Sequence, residues 1–129
     1  MTARRVAQLF AVGRIALGSA VLAAPESVTS HWLGEENAAL PAVADLARGL
    51  AARDIALGIA SLQTLGDPVA GPRIVAACAF ADATDAFGTL LARDELPLVG
   101  VVGTVLVAGA AAVAGLYLGH VLAHPAQPA

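Results

Sequence analysis

Five charged residues, Arg14, Arg53, Asp54, Asp82 and Asp85, stand inside long apolar runs of this 129-residue chain. Carboxylates and guanidinium groups in such surroundings have three uses. They pair with one another and fix helix register. They bind a ligand, a proton or an ion. Or they act as acids on an apolar substrate. Two cations against three carboxylates come close to balance and leave one acid over. The near balance favours structural pairing as the leading expectation. A proton-linked carrier or ligand-binding protein is the first alternative, and an intramembrane enzyme with Asp82 or Asp85 as its acid is the second.

Other reactive groups carry less. Asp82 and Asp85 form an Asp-x-x-Asp pattern, but two carboxylates are too few ligands for a divalent cation, and nearby arginines compete for them. His120 and His124 lie four residues apart on one helical face, where they read as interfacial residues rather than metal ligands. Cys78 has no histidine at its depth and reads as a small core residue. The sequence contains no phosphate-binding loop, serine-hydrolase elbow or zinc-protease motif. No metal and no cofactor is expected. All seven basic residues are arginine, the net charge is −3 and there is no basic tract, so nucleic acid is not an expected partner.

The elements that must hold these charges are set by composition. The chain is 58% hydrophobic and 13% charged, with mean hydropathy +0.77. A soluble domain is about 45–50% apolar and about 25% charged. A chain this short cannot hide that much apolar surface from water. Leu96 to Gly119 has no charged residue, and about 20 such residues span a bilayer as a helix. Three further apolar segments are interrupted by charge. The expected fold is all-α: a four-transmembrane-helix bundle in a single domain, 1–129. Its helices run over about 6–24, 41–65, 72–92 and 96–122, with a disordered tail at 123–129. Pro25 to Leu40, Gly66 to Pro72 and Arg93 to Glu95 read as loops. Pro41, Pro72 and Pro97 suit first-turn positions.

At about 1.5 Å per residue, the five charges fall about 12–20 Å from the cytoplasmic helix ends, near the middle of the hydrocarbon core. Arg48 lies nearer the outer surface, in reach of Asp45 on the same helix. Arg4, Arg5 and Arg73 at one side, against Glu26, Glu35 and Glu36 at the other, place both termini in the cytoplasm. His31-Trp32 reads as an interfacial anchor. Arg14 inside the first apolar stretch and Pro25 after Ala23-Ala24 argue against a cleaved signal peptide. Ile15-Ala16-Leu17-Gly18 recurs as Ile55-Ala56-Leu57-Gly58, an echo that the abundance of these residue types explains by chance.

Gly13-Arg14 followed by Gly18 and Pro25, Arg53-Asp54 followed by Gly58, and Asp82 with Asp85 give the chain its one likeness. It resembles an uncharacterised family of small bacterial four-helix integral membrane proteins, of the domain-of-unknown-function type. The resemblance covers nearly the whole chain and implies the four-helix fold but no activity. The expected location is the bacterial inner membrane, crossed several times. The expected partners are the lipid bilayer and a second copy or another membrane protein.

Overall fold

The computed structural model describes residues 1–124. Among them there are six α-helices, one short 3-10 turn and no strand: α1 (Ala3–Ala23), α2 (Pro25–Leu33), α3 (Glu35–Ala38), α4 (Pro41–Thr64), α5 (Ala70–Leu91), the 3-10 turn Arg93–Glu95, and α6 (Leu98–Ala123). Local chemistry sets the boundaries. The Thr2 hydroxyl accepts the Arg5 amide at 3.4 Å at the start of α1. Pro25 and Pro41 open α2 and α4, and Pro97 sits just before α6, where no helical partner for an N–H is needed. The Asp67 carboxylate accepts the amides of Val69 and Ala70, both at 2.8 Å, at the entry to α5. Gly34 separates α2 from α3 at φ +84, a conformation that glycine adopts without a Cβ penalty.

Three of the four expected transmembrane helices, α1, α5 and α6, are long and apolar enough to cross a membrane. α4 has the length, at 24 residues, but Asp45, Arg48, Arg53 and Asp54 take it out of that class. The stretch from Pro25 to Leu40, expected as a loop, is mostly helix. Pro25 at the first helical position starts it, and the Thr29 hydroxyl back-bonds to the Pro25 carbonyl at 2.8 Å. The last helix starts two residues later than expected. Most of the expected tail lies outside the described residues, and Ala123 still ends α6.

The long helices pack as two antiparallel pairs, α1 with α4 and α5 with α6. Glycine makes each pair close. A methyl placed on Gly18 of α1 would lie 2.8 Å from the Ala51 carbonyl oxygen and 2.9 Å from Ile55 Cγ1 of α4. The reverse contact is equivalent. A methyl on Gly58 would lie 2.8 Å from the Ala11 carbonyl oxygen and 2.6 Å from Ile15 Cγ1. In the second pair, a methyl on Gly115 would lie 2.9 Å from the Ala79 Cβ. Between the pairs contact is sparser, with α4 beside α5 and α1 beside α6.

The interior is small and the exterior is large. Buried positions are mostly alanine and glycine, among them Ala7, Ala11, Ala47, Ala51, Ala79 and Ala112. Phe80, Phe87, Leu91, Leu106, Val107 and Val113 are all more than half exposed. In water that distribution would forfeit the burial of large apolar side chains that stabilises a fold. In lipid it is the expected one, because close backbone approach through small residues holds helices together there. The chain is thus built as a multi-pass membrane protein.

Candidate functional site

The gap between the two helix pairs holds all five charges named from the sequence, joined into one chain. α1 contributes Arg14, α4 contributes Arg53 and Asp54, and α5 contributes Asp82 and Asp85. The Arg14 guanidinium donates through Nη1 to Asp54 at 2.8 Å and through Nη2 to Asp82 at 2.5 Å. Nη2 also lies 3.5 Å from the Cys78 carbonyl oxygen. Arg53 grips Asp85 with both ends of its fork, at 3.1 and 2.7 Å. Its Nε and Nη2 also reach Asp54 at 3.3 and 3.1 Å. The order is therefore Asp82, Arg14, Asp54, Arg53, Asp85, acid and base alternating.

Arginine suits these places for a geometric reason. Its planar fork directs several donors at once, so Arg14 holds a carboxylate on each of two other helices. α1 and α5 sit diagonally across the bundle and their backbones touch little. A long side chain bridges that diagonal where backbones cannot.

The charges are partly rather than fully buried. Side-chain exposure rises from 12% at Arg14 and 13% at Asp82 to 25% at Asp85 and 30% at Arg53. The cause lies in the packing. α6 covers α5 on the side near Asp82, but α4 and α6 make no substantial contact. Arg53 and Asp85 therefore face the open side of the α4–α5 seam.

Beside Arg14 and Asp82 lies a cavity of about 30 Å³, lined also by Ser61, Cys78, Ala79 and Leu118. The Ser61 hydroxyl and the Cys78 thiol are 3.4 Å apart across it. Organic ligands occupy pockets of about 300–1,000 Å³, so this void has room for water only.

The remaining expectations fare as follows. Asp45 and Arg48 are exposed, and among the described residues neither forms an ion pair; each points away from the bundle into the medium. The His120 and His124 ring centroids lie 4.6 Å apart with the planes tilted by 31°, and His124 Nδ1 lies 3.1 Å from the His120 carbonyl oxygen. No group of three metal-ligating side chains occurs among the described residues. Trp32, expected as an interfacial anchor, docks within the protein. Its indole N–H donates to Thr89 at 3.2 Å, and α6 passes so close that a methyl on Gly100 would overlap the Trp32 carbonyl. Sequence reasoning missed this dock, and also the role of Ser61 beside Cys78. The polar faces of the helices carried the only signal for either. No protein-family model, curated protein or solved structure matches the chain.

Proposed function

We propose that the chain is a structural or interaction protein of the membrane, in which the charge network clamps two tight helix pairs into one unit. The observation that carries this reading is the continuity of the network: five charges on three helices, every one bonded to a partner on another helix or to a neighbour so bonded. The cavity beside it is too small for a carried solute or an organic substrate, which favours the clamp over the carrier and enzyme readings.

In this reading α4 crosses the membrane as a fourth span. It runs beside α1 with Asp54 and Arg53 neutralised at mid-depth, and its exposed Asp45 and Arg48 lie within two turns of its start. Arg4, Arg5 and Arg73 gather at one end of the bundle. Glu26, Glu35, Glu36, Asp94 and Glu95 gather at the other. The positive end faces the cytoplasm, with both termini, in a bacterial plasma membrane. The test is thermal unfolding of the Arg14→Ala variant in mild detergent. Removing Arg14 leaves Asp82 without a partner and Asp54 with Arg53 alone, and about 3 kcal/mol of stability or more is expected to go. An unchanged melting temperature would overturn the clamp.

A further inference from the structure

The three carboxylates of the network are not held alike. Asp85 accepts donors on both oxygens from Arg53. Asp54 accepts three donors from Arg14 and Arg53, all on Oδ1. Asp82 accepts one side-chain hydrogen bond, on Oδ1 from Arg14. Its residue is only 9% exposed, and it lines the water-sized cavity. Its second oxygen takes no hydrogen bond from the protein, yet it is not sealed off as a buried orphan.

From this we infer that Asp82 is a reversible proton-binding site inside the membrane, exchanging with water in the adjoining cavity. The network carries one more carboxylate than cation, and a carboxylate with the fewest donors loses least on becoming neutral. The balance is simple. A hydronium ion in the cavity breaks one O–H bond and gives that proton to the free Asp82 oxygen, leaving water, forming one O–H bond and taking the five-residue network from a formal −1 to neutral. Arg14 keeps Asp54, so no cation is left alone. The groups that face Asp82 are Arg14 from α1, Asp54 from α4 with Arg53 behind it, and Cys78 and Asp85 on its own helix. α6 brings only Ala111, Gly115 and Leu118 to the cavity, none of which titrates. The cavity runs toward the end that bears the N terminus, where Ala7, Val75 and Leu118 line it.

The test is infrared difference spectroscopy of the full chain in lipid nanodiscs across an acid-to-neutral pH series. A protonated-carboxyl band that titrates reversibly and shifts in heavy water is expected. It should vanish in Asp82→Asn and persist in Asp85→Asn at a lower pH, because that variant also removes the surplus acid. Persistence in Asp82→Asn, loss in Asp85→Asn instead, or no such band in the unmodified protein would each overturn the assignment. Should Asp82→Asn not fold, Asp82→Glu keeps a carboxyl of different stretching frequency. A shifted band then supports the site, and an unshifted one removes it.

Discussion

Arg14 bonds to carboxylates on two other helices, Asp54 of α4 and Asp82 of α5, and its identity matters as much as its charge. A lysine there would supply a point charge in place of a fork. Arg14→Lys is expected to keep one of the two interhelical bonds and lose the other, at a cost of about 1–3 kcal/mol. Unfolding in detergent, compared with Arg14→Ala, would read the difference. Asp67 offers a pH prediction outside the spans. Its carboxylate sits below the usual range because the Ala70 and Val69 amides donate to it. A lowered folded-state value means that its help to the turn is present above the ordinary carboxylate pKa. That help fades as pH falls through the lowered value. Amide exchange at Val69 and Ala70 should accelerate only in that acid window, and Asp67→Ala should show the fast exchange at neutral pH. The five network residues themselves were readable from the sequence, because charge in an apolar run marks depth. Their partners were not. That Asp54 serves both arginines while Asp82 serves one depends on which helices are neighbours, and spacing along a chain does not carry that.

Among the helices, the α1–α4 pair turns an apparent coincidence into a packing device. Ala11, Ile15, Ala16, Leu17, Gly18, Ala20 and Leu22 match Ala51, Ile55, Ala56, Leu57, Gly58, Ala60 and Leu62 forty positions on. The buried residues Ala7, Ala11 and Gly18 of α1 correspond to Ala47, Ala51 and Gly58 of α4 in the same way. Two helices with the same stripe, set antiparallel, give each glycine the other's isoleucine. Chance in an alanine-rich chain was the natural reading of four repeated letters; the faces they occupy become visible only once the helices are paired. Gly18→Val and Gly58→Val are each expected to destabilise by about 1–3 kcal/mol through overpacking. Gly13→Ala and Gly49→Ala, whose added methyls meet nothing within 4 Å, should be neutral or mildly stabilising. Melting temperatures of the four variants would separate the two classes. α2 escaped the sequence reading because its charged and small residues resemble loop chemistry. Its helix rests on Pro25 as a start and on Trp32 docking against Thr89 and Gly100.

For the assembled chain, the arrangement of small residues within and large apolar residues without follows from hydropathy, and all-α architecture was foreseeable from that alone. The pairing of helices was not, since every long helix offers small faces. Orientation remains open to direct measurement. In a Cys78→Ala background, Ser27→Cys is expected to react with a membrane-impermeant maleimide on intact cells, and Asp67→Cys only after permeabilisation. The opposite pattern would invert the topology.

In the proposed four-span arrangement the charge network lies at mid-depth, and that has an electrical consequence. A charge carried across the whole membrane changes energy by about 2.3 kcal/mol per 100 mV, so one at mid-depth feels about half of that. A net negative group fixed halfway through the bilayer is therefore coupled to the membrane potential even if no helix moves. An interior-negative voltage would raise the energy of its ionised form relative to the outside, by about 1 kcal/mol per 100 mV on this estimate. Protons drawn from outside would gain by the same amount on reaching it, and the occupancy of the site would report the voltage across the cell.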